Sequence, residues 1–250
     1  MPRVVRVVTV DLWGTLFLDT PGADNRYKNR RLTDFDAILR RIGVVIPSHR
    51  LDRAYDDSAL FLRRVWSAHR DVAVGEHVMA ILRALDPALA ERTSDALRDE
   101  LVEAYARPAL LVPPTFDESA RPALEQLRAH GILLVLVSNT MRTPGRTLRL
   151  LLDNAGLLAC FARTVFSDEI GVRKPDPAIF QLALADFSVA PADAVHVGDD
   201  SVLDVEGARG AGMRVVQVVG RGGEVSEPPP DRTVTKLGEL PAAIASLENE

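Results

Sequence analysis

Carboxylates placed at the ends of apolar runs are the residues of this chain best suited to chemistry. Asp11 stops the run VVRVVTV, and Gly14-Thr15 follows almost at once. A strand rich in β-branched residues that ends in this way delivers its carboxylate to the carboxyl edge of an open α/β sheet, where ligands bind. Three more acids, Asp199, Asp200 and Asp204, crowd the end of the run AVHVG. Such carboxylates repel one another unless a cation relieves them, and Mg²⁺ favours one or two carboxylates with carbonyls, waters and phosphate oxygens. Asp11, Asp199 and Asp200 are a candidate set for that ion, although acids are also favoured in the first turn of a helix, where Asp204 falls. Lys174, one of three lysines in an arginine-rich chain, lies in a loop stiffened by Pro175 and Pro177. A fixed ammonium near Asp11 would keep that carboxylate ionised and offset an incoming anion. Ser138-Asn139-Thr140 ends another apolar run and offers a hydroxyl and an amide to an anionic oxygen, though alone it is ordinary turn chemistry.

These residues need elements to carry them, and the chain changes character twice. Segments 26–42, 51–69, 76–85 and 90–105 repeat apolar residues at helical spacing, separated by Gly43, Pro47, Gly75 and Pro87, and end at the proline-rich turn 108–114. From Thr115 helices and apolar strands alternate: helices over 115–130, 143–155, 176–186, 201–211 and 240–247, strands over 132–137, 164–167, 194–197 and 214–219 and near Thr233. Repeated βα units with apolar strands predict an α/β fold, a Rossmann-like three-layer core around a parallel sheet. The helical stretch reads as a lobe inserted after the first strand, with residues 1–20 and 113–250 as the core and 21–112 as the lobe.

Composition narrows the function. A chain of 250 residues with 47% hydrophobic content buries a sizeable core, and a net charge of -5 supplies no electrostatic reason to expect nucleic acid. Cys160 is the single cysteine, so no intrachain disulfide forms. The amino-terminal apolar run is too short for a signal segment or a bilayer span. The expectation is a cytoplasmic protein, monomeric or homodimeric, with no membrane partner.

In this order and around a helical insertion, DLWGTL, SNT, RKPDP and GDDSVLD resemble the haloacid dehalogenase superfamily of hydrolases over nearly the whole chain. The resemblance implies Asp11 as nucleophile, Ser138 and Lys174 as binders of phosphoryl oxygens, and Asp199 with Asp200 as ligands of Mg²⁺. It implies that Asp204 is an outer acid orienting Lys174 or a metal-bound water, that Trp13 lends its main-chain carbonyl to the metal, and that the Thr15 hydroxyl orients Asp11. Asn139, Trp13, Arg30 and Arg31 are the candidates for touching the substrate, the two arginines because they follow the hinge of the inserted cap most closely.

Trp13 departs from the family pattern. Phosphatases of the superfamily carry a second Asp there, which protonates the leaving oxygen and later activates water, and indole does neither. General acid–base catalysis contributes typically about 10²–10⁴ in rate. The 2-haloacid dehalogenases have an aromatic residue in a similar motif, since halide leaves without a proton, but lack the acidic pair and use no metal. Phosphonatases use a lysine of the cap, and Lys28, the one lysine there, has no matching motif around it. The retained acids favour a Mg²⁺-dependent phosphatase of a small phosphorylated metabolite, through an aspartyl-phosphate at Asp11. The alternatives are a metal-free dehalogenase-like hydrolase and a catalytically weak binding or scaffold protein. Arg26, Arg63 and Arg64 read as solvated helical faces and Arg173 as solvated. Trp66 with Phe61 and Leu62 reads as core of the lobe, His196 as a satisfied core histidine, and Gly207, Gly210 and Gly212 as packing and helix-end positions.

Overall fold

The computed structural model describes residues 4–18, 20–220 and 223–249. The first three residues of the amino-terminal run, residue 19 beside the expected lobe boundary, residues 221–222 of the loop after the fourth βα unit, and the last residue of the expected core lie outside them.

The run before Asp11 forms β1 (Val7–Val10), fully buried. After it come β2 (Phe17–Leu18) and then α1 (Ala23–Arg41), α2 (Ser48–Ser67), α3 (Val74–Leu85), α4 (Pro87–Arg92), α5 (Asp95–Ala106) and α6 (Pro108–Leu111). The remainder runs β3 (Thr115–Phe116), α7 (Ala120–Ala129), β4 (Leu133–Ser138), α8 (Gly145–Asn154), β5 (Arg163–Phe166), α9 (Ser167–Ile170), α10 (Pro177–Leu184) and β6 (Ala194–Gly198). A π-helical turn (Ser201–Glu206) leads into α11 (Gly207–Gly210), followed by β7 (Arg214–Val218), β8 (Arg232–Val234) and α12 (Leu240–Glu248).

Six strands form one sheet in the order β5-β4-β1-β6-β7-β8, every neighbouring pair parallel. β1 is central, with Val7 opposite both Leu133 and Ala194. Both faces are covered: Val8, Val10, Leu134 and Leu136 pack with α7, α8 and α12, while Val7, Val135, Val137 and Val215 pack with α10 and α11. Strands buried on both sides have no polar face to alternate, which is why they read as unbroken apolar runs. The helices α1 to α5 bury their own cluster, including Phe35, Leu39, Leu82 and Tyr105. No helix among the described residues is long and apolar enough to cross a membrane.

Three sequence expectations shift. The helix expected over 115–130 begins at Ala120, because the Asp117 carboxylate accepts from the Ser119 amide and hydroxyl and fixes a turn. The freed Thr115–Phe116 pairs antiparallel with Phe17–Leu18, a stretch to which the sequence pattern assigned no strand. The helix expected over 90–105 is cut in two where the Ser94 hydroxyl caps α5 by accepting from the Leu97 amide.

Candidate active site

Asp11 leaves the end of β1 buried, and its carboxylate accepts from the Lys174 ammonium at 2.5 Å. The same Nζ donates to Asp204. Asp204 is fully engaged: Oδ1 accepts from Lys174 and His196 Nε2, and Oδ2 accepts from the Asp200 amide at 3.0 Å. Because a carboxylate only accepts, His196 carries its proton on Nε2, and Nδ1 accepts from the Thr9 hydroxyl at 2.8 Å. Burial lowers the pKa of His196, so the ring stays neutral.

Carboxylate oxygens of Asp11, Asp199 and Asp204 lie within 4.8 Å of one another. Three acids thus share one ammonium, and the neutral His196 supplies no further charge. Burial pushes the Asp11 carboxyl up, to about 8, against the pull of Lys174, with Asp204 and Asp199 adding to the rise. Burial, then Asp204, raises Asp199 to about 6. Burial opposes the Lys174 charge as well, but Asp11 and Asp204 outweigh it and hold the ammonium above its ordinary range. Asp204 stays ionised despite its burial, because Lys174 and His196 hold it well below the usual carboxylate range. With one ammonium for three acids, Asp11 holds its proton at neutral pH, and a divalent cation, which prefers oxygen ligands, would supply the charge that ionises it beside Asp199. Gly14 makes room for the Asp199 carboxylate: a Cβ there would stand 2.3 Å from one of its oxygens.

The neighbouring loops are built around this cluster. Both ends of the Asn139 amide are taken by the Lys174 backbone, Nδ2 donating to its carbonyl at 3.0 Å and Oδ1 accepting from its amide at 2.8 Å. Asn139, expected at the substrate, is instead the brace of the Lys174 loop. Among the described residues the buried Ser138 hydroxyl has only a long bond to the Asn139 carbonyl, 3.4 Å, and is available to an anion. Thr15, expected to orient Asp11, donates to Asp199 Oδ1 at 3.1 Å. Asp200, expected as a metal ligand, is exposed and caps the π-helical turn by accepting from the Val202 and Leu203 amides, and it lies outside the carboxylate cluster. That turn points Asp204 inward, and Gly198 gives its carboxylate room, since a Cβ there would lie 2.2 Å from it.

Trp13 is partly buried, edge-on to Phe17 at 5.9 Å, and forms one wall of a cavity of about 520 Å³ between α1, α2 and the loop after β4. Arg31 also lines it. Arg30 does not; it pairs with Asp34 on the flank of α1. Trp66, expected in the core of the lobe, faces this cavity, and its ring lies under the Arg173 guanidinium at 4.5 Å. Arg173, expected in solvent, is buried and paired with Asp71 at 3.1 Å. Sequence reasoning missed Asp71, Tyr55 and Arg142. Only Arg142 left a trace, four residues beyond Ser138 in the same strand-end loop.

Residues 5–212 match the family described as haloacid dehalogenase-like hydrolase. A phosphoserine phosphatase of Thermus thermophilus is 39% identical over 142 residues, 56% of this chain and 55% of that protein. A glyceraldehyde 3-phosphate phosphatase of Pyrococcus furiosus is 33% identical over 134 residues, 52% of this chain and 54% of that protein. The chain therefore spans about half the length of the curated relatives it matches. Among solved structures, a 2-haloacid dehalogenase of Pseudomonas syringae pv. tomato superposes with a TM-score of 0.73 at 27% identity, over 97% of this chain and 99% of that one.

Proposed function

The chain belongs to the haloacid dehalogenase-like hydrolases, and from that premise we propose that it is a Mg²⁺-dependent phosphatase of a small phosphorylated metabolite, with residues 21–112 as a cap over the site. The charge balance carries the reading: three clustered carboxylates against one ammonium leave room for a divalent cation, which a metal-free reaction would not need. Asp11 and Asp199, with the Trp13 main-chain carbonyl, would hold the Mg²⁺. When bound, the ion supplies charge neutralisation for the nucleophile and for the phosphoryl oxygens.

The chain's own residues divide the remaining work. Asp11 attacks phosphorus to give an aspartyl-phosphate, and Ser138 Oγ–H and the Lys174 ammonium donate to the oxygens of the group in transfer. Asp204 and His196 hold Lys174 in place, and Asn139 fixes its backbone. No acid at position 13 protonates the leaving oxygen, so esters whose alcohol leaves readily as an anion are the preferred substrates.

The names of the phosphatases above support this reading, while the dehalogenase of comparable architecture and the indole at Trp13 favour metal-free dehalogenation as the second reading. Turnover of phosphomonoesters measured with Mg²⁺ and with EDTA separates the two. Phosphate release that needs Mg²⁺ and disappears in Asp11→Asn is the expected result. Chloride release from 2-chloropropionate in EDTA, with every phosphomonoester inert, reverses it.

A further inference from the structure

The cavity beside Trp13 holds two arginines that no carboxylate neutralises among the described residues. Arg31 is 3% exposed, and its guanidinium donates to the Tyr105 carbonyl at 2.8 Å, the Tyr55 hydroxyl at 3.1 Å and the Arg142 carbonyl at 2.9 Å. Arg142 lies over the Tyr55 ring, its Cζ 4.2 Å from the ring centre, and donates through Nη1 to the Tyr105 hydroxyl at 2.9 Å and to Ser58 Oγ at 3.4 Å. Every one of those partners is neutral, and burial raises the Tyr105 hydroxyl to about 12, so it does not ionise. Among the described residues no carboxylate makes an ion pair with either guanidinium. Two nearby cations differ in this respect, Lys28 being paired with Asp52 and Asp56 and Arg173 with Asp71, while Arg63, which has no ion pair among the described residues, is exposed to solvent where it lines the cavity. The acid on the cavity wall, Asp24, is exposed at its rim. Buried His77 registers the excess positive charge, since burial and then Arg142, Arg31 and Arg173 push its pKa down to about 3.

Buried charges in proteins are normally paired, because an unpaired one forfeits its hydration without return. Two guanidiniums held rigidly by aromatic groups and left without an anion are a site whose anion arrives with the ligand. We infer that Arg142, backed by Arg31, is an oxyanion subsite: the organic part of the substrate carries its own carboxylate or second phosphate, bound at Arg142 between the walls made by Tyr55, Trp66 and Trp13. This substrate class rests on the phosphatase reading above, whereas the subsite itself does not.

The chain's two tryptophans both line the cavity, so indole emission reports its occupancy. In EDTA the Asp11 cluster repels anions, which leaves Arg142 to bind them. Benzoate titrated into the full-length protein is expected to quench the emission saturably, with its neutral counterpart benzamide at least about tenfold weaker. Arg142→Gln is expected to remove that preference and Arg142→Lys, which keeps the charge, to retain part of it. Equal binding of benzoate and benzamide by the unmodified protein overturns the subsite, and that comparison decides alone if Arg142→Gln does not fold. With Mg²⁺, kcat/KM for O-phosphoserine against phosphoethanolamine, and for propane-1,3-diol bisphosphate against propyl phosphate, shows whether carboxylate or phosphate is the anion read. A preference of about tenfold or more in either pair supports the substrate class, and parity in both overturns it. Benzoate selectivity in a protein that turns over no phosphomonoester sinks the phosphatase reading and leaves the subsite standing.

Discussion

At Trp13 a single side chain sets both the shape of the cavity and the limits of the chemistry. Its indole packs on Phe17 and walls the cavity, but its Nε1–H is buried with no acceptor among the described residues and has no proton to lend at neutral pH. Phosphate-ester rates should therefore fall steeply as the alcohol becomes more basic. Trp13→Asp is expected to raise turnover of alkyl phosphates by about 10²–10⁴ and to flatten that dependence. An unchanged leaving-group slope in a folded variant would show that another group already supplies the proton. Two glycines beside the site predict separable defects. A Cβ at Gly198 would collide with Asp204 and one at Gly14 with Asp199. Gly198→Ala disturbs the acid that holds buried Lys174, at a cost of about 2–3 kcal/mol, or a Tm lower by about 4–12 °C. Gly14→Ala, at φ +81°, adds backbone strain but acts chiefly on Asp199, so its signature is weakened Mg²⁺ binding by calorimetry. Identical defects in the two variants would mean that the acids do not divide their work in this way.

At the scale of elements, what the sequence revealed followed from burial and what it concealed followed from long-range pairing. β1, β4 and β6 were legible because strands covered on both faces must be apolar throughout, and their terminal residues Asp11, Ser138 and Asp199 were legible with them. Asn139 and Asp200 were recognisable as polar groups at strand ends, but not as a loop brace and a cap, because only contacts 35 residues away or main-chain geometry separate those tasks from ligand binding. Arg173 looked solvated because its partner, Asp71, lies 102 residues away. The start of α8 supplies a prediction of the same kind. The Asp168 carboxylate accepts from the Gly145 amide at 3.2 Å, and burial raises its pKa from 3.8 to about 6. A carboxyl whose folded pKa is raised contributes stability below its unfolded value and loses it as pH climbs through the folded one. Asp168→Asn keeps an acceptor for Gly145 and removes the charge. With the helix dipole offsetting part of the burial cost, the variant is expected to exceed the parent by about 1–2 kcal/mol at pH 7, with the gap closing near pH 4. Parallel stability curves for the two proteins across that window would refute it.

On the scale of the whole molecule, the helical lobe and the catalytic core meet at the Lys174 loop as well as at the hinge. Between α2 and α3, Arg70 bridges Val172 in antiparallel fashion, the Asp71 amide donates to the Gly171 carbonyl at 3.1 Å, and the Arg173 amide donates to the His69 carbonyl at 3.2 Å. Inside this joint Asp71 Oδ2 accepts from Arg173 and Ser167, while Oδ1 accepts from Trp66 Nε1 and the Val72 amide. The carboxylate ties a wall of the cavity to the residue next to Lys174, so the position of the lobe and the position of the ammonium are set together. Removing one partner of a buried ion pair costs about 3–5 kcal/mol because the other is left unpaired. Asp71→Ala is therefore expected to lower Tm by about 6–20 °C. Hydrogen exchange is the sharper measurement. The amides of Asp71 and Arg173 should lose protection together, well beyond the change in β1, and kcat should fall with them as Lys174 loses its fixed place opposite Asp11. If exchange quickens at Asp71 while Arg173 and kcat hold steady, the Lys174 loop is positioned from the core alone, by Asn139, and the lobe moves independently of the catalytic ammonium.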